Sequence, residues 1–181
     1  MKNLIPCIAI LLFFGCKSPE ARYPVSHKSG SFIKASAERN KQLNKQEQER
    51  INTIMAEQPD IEFIASENGF WYYYNTRIDE DTIKPKYGDV VNYNYNIKDL
   101  SGQTIYSQKE MDTLNYTIDQ EELFMGLREG LKLMKAGETV TFYFPSQIAY
   151  GYYGDENRIG TNIPLVCKVT VNSIYRKENN K

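Results

Sequence analysis

The stretch IDQEELFMGLREGLKLMKAGETVTFYFPSQIAYGYYGDENRIGTNIPLV, residues 118–166, decides how the rest of the chain is read. Its first third predicts a short helix. Asp119 stands where a cap belongs, Glu122 completes a capping box, and Gly137 supplies the stop. Leu123, Phe124, Leu127, Leu131 and Met134 share one face at helical spacing. Gly126 and Gly130 leave a strip along which another element can approach the helix backbone closely. Residues 138–146 then alternate, with Val140, Phe142 and Phe144 opposed to Thr139, Thr141 and Tyr143, which predicts a half-buried strand. Residues 149–164 form a glycine-punctuated loop too long for a simple connector, and such loops are usually functional or disordered. Ile148, Tyr150, Tyr152, Tyr153, Ile159 and Ile163 make this region too apolar for disorder. The expectation is a helix laid across a sheet, with an aromatic loop closing a groove that binds something apolar.

Upstream, residues 69–78 (GFWYYYNTRI) read as a strand and residues 79–86 as a polar turn holding Pro85. Residues 88–97 alternate strictly. Val91, Tyr93, Tyr95 and Ile97 face one way, and Val90, Asn92, Asn94 and Asn96 the other. A turn at 99–102, short strands at 104–107 and 113–119, and a closing strand at 165–174 complete the set. In the closing strand Leu165, Cys167, Val169 and Val171 share a face. The fold class is α+β, a mostly antiparallel sheet of about five strands around one short helix, preceded by an N-terminal helix.

The N-terminus reads as a targeting signal. Met1 and Lys2 give a positive start, and residues 4–15 an apolar run broken by Pro6, too short for a bilayer span of about 20 residues. The run ends Phe13-Phe14-Gly15-Cys16, and a small residue followed by cysteine resembles a bacterial lipoprotein processing site. Cys16 is then the lipidated first residue of the mature chain, and the alternative is a plain secretory signal with an incidental cysteine. The organisation is a signal at 1–15, a tether at 16–31, a helical spacer at 32–60, a domain at 61–176 and a polar tail at 177–181. Cys7 leaves with the signal and Cys16 is acylated, so Cys167 has no partner for an intramolecular disulfide. His27, the only histidine, sits in the tether and carries no catalytic or metal role. The spacer's apolar residues are sparse: Ile33, Ala37, Leu43, Ile51, Ile54 and Met55. They predict a solvated helix that packs only its C-terminal end on the domain, and a dimerising or client-holding helix over 32–58 is the other reading. A net charge of −1 with no basic run excludes nucleic acid as a partner.

The motif Leu-x-x-Gly-Leu-x-x-Gly-Leu (123–131), the Lys-Ala-Gly-Glu that follows at 135–138, and Ala149-Tyr150-Gly151 after a strand resemble FKBP-type peptidyl-prolyl isomerases. The spacings from Gly88 to Tyr95, Tyr95 to Gly102, Gly130 to Ala149 and Gly151 to Leu165 match that family without gaps, and the resemblance spans residues 63–175. The signal, spacer and tyrosine-rich strands further resemble the FKBP-like lipoproteins associated with gliding motility.

The resemblance implies a pocket wall at Tyr95 and a loop tyrosine, Tyr150, whose hydroxyl bonds a ligand carbonyl. It implies an apolar side chain and a backbone N–H from Leu123 and Phe124, an apolar cover from Ile159, and a rim at Leu114 and Tyr116. Four positions depart. The family's floor tryptophan is Leu127, a neighbouring aromatic is Cys167, and the phenylalanine-aspartate pair is Ile105-Tyr106. These imply a wider or shallower pocket without the usual carboxylate, where Tyr106 either donates in its place or is simply a tyrosine packed in the sheet.

The resemblance also implies a lipid-anchored isomerase without a cofactor. Its partners are proline-containing segments of exported proteins, and its location is the outer membrane, facing the periplasm. The departures imply a second reading, a scaffold that binds such segments without turning them over.

Overall fold

The computed structural model describes residues 29–80 and 83–177. The expected signal, Cys16 and most of the expected tether lie outside the described residues. The chain divides into two compact units after Ser36. In the first, the described residues 29–36 are helical, and Phe32 and Ile33 are exposed. All that follows concerns the second.

Helix α1 runs over Ser29–Ala56. It begins inside the stretch read as tether and ends ahead of Pro59, which cannot continue it. Only its C-terminal part packs on the domain. Ile51 is fully buried and Leu43, Ile54 and Met55 are half-buried, while Ala37 is exposed.

The sheet has seven antiparallel strands: β1 (Ile64–Ala65), β2 (Trp71–Thr76), β3 (Val90–Asp99), β4 (Thr104–Tyr106), β5 (Thr113–Thr117), β6 (Thr139–Phe144) and β7 (Leu165–Tyr175). Their order is β1-β2-β6-β7-β3-β4, with β5 also on β3. The count exceeds the expected number of about five, and the strand that the sequence did not announce is β1, a two-residue addition; the outer edge of β3 is shared by two short strands, as expected. One end of β3 pairs with β5, the other with β4. Between them the chain leaves the edge in a one-turn helix, α2 (Gln108–Met111), closed by a capping box. The Ser107 Oγ accepts from the Glu110 N–H at 3.3 Å, and the Glu110 carboxylate accepts from the Ser107 N–H at 2.9 Å.

Helix α3 (Met125–Leu133) lies across the inner face of the sheet. Its ends differ from the expectation. Phe124 is the N-cap and has no side chain to accept a bond. Asp119 instead sits at φ 58°, with its carboxylate 2.9 Å from the Lys132 Nζ. The helix stops at Leu133, and Gly137 turns the chain into β6. Packing replaces the missing cap, since most stability of a short helix comes from its buried face. Leu127, Leu131 and Met134 are fully buried there. The glycine strip does what its spacing implied: a Cβ on Gly126 would stand 2.5 Å from the Phe144 ring, and one on Gly130 3.0 Å from the Phe142 ring.

Strand β6 is not half-buried. Val140, Phe142 and Phe144 join the core, yet Thr141 and Tyr143 are also only 5% and 6% exposed. The Phe63 ring meets Tyr143 edge-on at 5.6 Å, and the Thr141 hydroxyl donates to Asn75 Oδ1 at 2.7 Å. Phe63, in the segment joining α1 to the sheet, and Asn75, on the neighbouring strand β2, thus occupy positions on the outer face that alternation had assigned to water.

Candidate functional site

Strand alternation sends Tyr93 and Tyr95 to the inner face of β3, 2% and 3% exposed. A 3₁₀ turn (Ser146–Ile148) after β6 delivers Tyr150, whose ring lies 5.1 Å from that of Phe124. Phe124 in turn meets Phe144 edge-on at 5.4 Å, which ties the wall of the site to the packed core. Burial, and then the neighbouring Tyr150, hold the Tyr95 phenol far above its ordinary value. Burial likewise pushes Tyr150 up to about 12, while its interaction with the Tyr95 hydroxyl works against this.

Tyr106 meets a carboxylate from a different segment. The Tyr106 hydroxyl at the end of β4 donates to the Asp155 carboxylate. Gly154 makes that reach possible: it holds φ 70°, and a Cβ there would run into the Ile159 carbonyl. The Asp155 Oδ1 accepts from the N–H groups of Ile159 at 2.7 Å and Asn157 at 3.0 Å. Partial burial would raise the Asp155 carboxyl, but the Tyr106 hydroxyl and these N–H groups outweigh it and hold it below its usual value. Because the single Tyr106 O–H is committed to Asp155, it does not donate to a ligand as the sequence had suggested.

Arg158 closes this cluster. Its guanidinium lies 4.9 Å over the Tyr106 ring and donates to the Ile105 carbonyl at 3.0 Å and to the Glu110 carboxylate at 2.9 Å. Glu110, held first by the Ser107 N–H and hydroxyl and then by Arg158, is pushed down to about 2.

Two clefts open here. Leu123, Phe124, Ala149 and Tyr150, with Glu121, Glu122 and Arg128, line one of about 560 Å³. Thr104, Ile105, Arg158 and Ile163 are among the residues lining the second, of about 480 Å³. Ile159 is 3% exposed beside them, and Leu114 is half-buried on β5. Leu127 and Cys167 have no exposed surface at all. They belong to the core against which Ile105, Tyr106, Leu123, Phe124 and Tyr150 pack, and burial drives the Cys167 thiol far above its ordinary value. Among the described residues no group of His, Cys, Asp and Glu could hold a metal ion, and no helix is long and apolar enough to cross a membrane.

A family model described as FKBP-type peptidyl-prolyl cis-trans isomerase matches residues 81–172, just over half of the 181 residues. The chain belongs to that family. A curated relative, a probable FKBP-type peptidyl-prolyl cis-trans isomerase FkpA from Neisseria meningitidis serogroup B, is 31% identical over 96 residues. Those residues are 53% of this chain and 35% of the relative, so the match spans about a third of the relative's length. A crystal structure of a peptidyl-prolyl cis-trans isomerase from Pseudomonas syringae pv. tomato superposes with a TM-score of 0.61 at 19% identity. It covers 75% of this chain and 96% of that one, and shows that the fold is shared.

Within this FKBP domain the structure brings Tyr95, Tyr150 and Phe124 together, and places Tyr106 and Ile105 beside Ile159 on the Asp155 loop. Sequence reasoning missed Asp155, Arg158 and Glu110. Part of the signal was present, since an aspartate after glycine in a loop favours turns in which its carboxylate accepts from the N–H two residues on. Nothing in the spacing said that its other oxygen would meet Tyr106, 49 residues upstream.

Proposed function

We propose that the protein is a peptidyl-prolyl cis-trans isomerase, anchored through a lipid on Cys16 in the outer membrane. It faces the periplasm and serves exported proteins of a gliding-motility envelope system. The observation that carries the catalytic part is geometric: Tyr150 stands with its ring 5.1 Å from that of Phe124, and both line the same cleft with Leu123 and Ala149. Rotation about an X–Pro bond breaks amide resonance against a barrier of about 18–20 kcal/mol and needs neither nucleophile nor metal. Unassisted, it takes on the order of tens to hundreds of seconds.

Leu123, Phe124 and Ala149 offer a dry wall that disfavours the charge-separated planar amide. The Tyr150 donor fixes a flanking carbonyl in the twisted geometry, so binding is tightest at the transition state. Asp155 holds Tyr106 and the loop bearing Ile159 in place around the proline. The membrane part of the reading rests on the apolar run before Cys16, and the motility part on the likeness of spacer and tyrosine-rich strands.

A prolyl-isomerase assay on the full chain in detergent, with Xaa-Pro peptides and a proline-limited refolding protein, tests the catalytic part. Clear acceleration is expected, and Tyr150→Phe should lower it roughly 10- to 100-fold, the worth of one well-placed hydrogen bond, with little change in melting temperature. Unaltered turnover in Tyr150→Phe removes that hydroxyl from the mechanism. The second reading, a scaffold that grips proline segments without turning them over, is favoured by the complete burial of Leu127 and Cys167, which leaves no exposed floor there. It predicts peptide binding without acceleration. For the anchor, labelled palmitate should enter the wild-type chain and not Cys16→Ser; equal labelling of both sinks the lipoprotein reading.

A further inference from the structure

We propose that Glu47 on α1 is a positioning residue for the Tyr150 loop, which makes the N-terminal helix a working part of the isomerase site. The proposal rests on the catalytic reading above. Glu47 is 4% exposed, and both its carboxylate oxygens grip one residue. Oε2 accepts from the Ser146 N–H at 2.8 Å, and Oε1 accepts from the Ser146 hydroxyl at 2.7 Å. Ser146 is itself only 1% exposed and opens the 3₁₀ turn that leads to Tyr150. Its carbonyl accepts from the N–H groups of Ala149 at 3.1 Å and Gly151 at 2.9 Å, the two residues that bracket Tyr150. One step along, the Asn44 amide donates to the Gln147 Oε1 at 2.6 Å. A continuous path therefore runs from α1 through Ser146 to the backbone on each side of the tyrosine.

Fastening a helix to a domain does not require this arrangement. Ile51, fully buried a turn later, already docks α1 by apolar contact. A buried carboxylate must be matched by donors or it destabilises the fold, and among the described residues Glu47 has no ion pair. What it supplies is two acceptors on one rigid group, suited to a residue presenting two donors side by side. Ser146 N–H is also one of the donors that the start of a helical turn leaves without an internal partner. The carboxylate thus fixes the orientation of the turn, and with it the direction in which the Tyr150 hydroxyl points.

The test compares Glu47→Ala, Glu47→Gln and Ile51→Ala in the full chain, each measured well below its own melting temperature. Turnover is read together with hydrogen exchange at the Ala149 and Gly151 amides. Glu47→Ala should lower kcat at least 10-fold with KM little changed, and should speed exchange at both amides. Glu47→Gln keeps the N–H bond and lets the serine hydroxyl accept instead, so it should recover most of the rate. Ile51→Ala weakens the docking of the same helix without touching Ser146, and should lower the melting temperature while leaving kcat near wild type.

Equal loss of kcat in Glu47→Ala and Ile51→Ala would reduce Glu47 to a fastener and overturn the proposal. So would unchanged kcat with unchanged exchange in Glu47→Ala. A folded wild type with no isomerase activity would overturn the catalytic reading instead. Exchange at residues 149 and 151 would then decide alone whether Glu47 orients the loop.

Discussion

The two faces of β6 are covered by different materials. Its inner face presents Val140, Phe142 and Phe144 to α3, where Phe142 and Phe144 stack at 5.4 Å and 9° against a helix stripped of side chains at Gly126 and Gly130. Its outer face presents Tyr143 edge-on to Phe63 of the segment after α1, and Thr141 through a hydroxyl-to-amide bond to Asn75 of the neighbouring strand β2. The inner face is held by shape alone, so any change of volume is felt. The outer face is held by a few directed contacts, and it connects the N-terminal helix to the strand that leads into the Tyr150 loop. The first face makes the domain stable. The second tells the domain where α1 is.

That contrast can be broken by paired substitutions. Phe142→Ala empties the stacked aromatic layer and should cost about 3–5 kcal/mol, read from denaturant unfolding. Ile51→Ala, in the helix that docks on the rest of the domain, should cost about 2–5 kcal/mol if α1 folds as part of the same cooperative unit. An Ile51→Ala cost near zero, or a separate early unfolding step, would show α1 to be an appendage. The outer face would then be an incidental contact.

A gentler probe is pH. The Tyr150 phenol is raised to about 12, above an ordinary value of about 10. Its contribution to stability is therefore complete below about pH 10 and is lost as pH rises through the folded value. Asp155 is shifted the other way. Its contribution is present above its ordinary value of about 3.9 and is lost as pH falls through the lower folded value. Turnover should accordingly be flat from about pH 5 to pH 9. A titration near neutrality would mean that neither group governs the rate.

Much of the inner face was legible beforehand, because burying one side of a strand or helix leaves a periodic trace. The alternation at Val91, Tyr93, Tyr95 and Ile97 placed Tyr95 on the inner face, and the spacing of Gly126 and Gly130 announced the close approach of the two phenylalanines. The helix caps were misread, since Asp119 and Glu122 fit a local pattern that tertiary contacts overrode. Asp119 turned out to pair with Lys132. The covered outer face left no trace, because threonine, tyrosine and asparagine serve equally well against water or against a neighbouring segment. The Asp155 carboxylate was missed for a related reason. The sequence shows which residue stands at position 106, and it does not show which loop oxygen folds back to meet it.

By itself, then, the sequence determined the α+β class, the apolar faces of its strands and central helix, and the family to which the domain belongs. All of these are written in short-range periodicity and motif spacing. Only the tertiary structure decided that Asp155 accepts from Tyr106 and that Glu47 grips the root of the Tyr150 loop. Each of those contacts joins residues far apart in the chain, 49 and 99 positions respectively. Hydrogen bonds of that kind depend on where the backbone has been carried, and a local pattern of polar residues does not encode their partners.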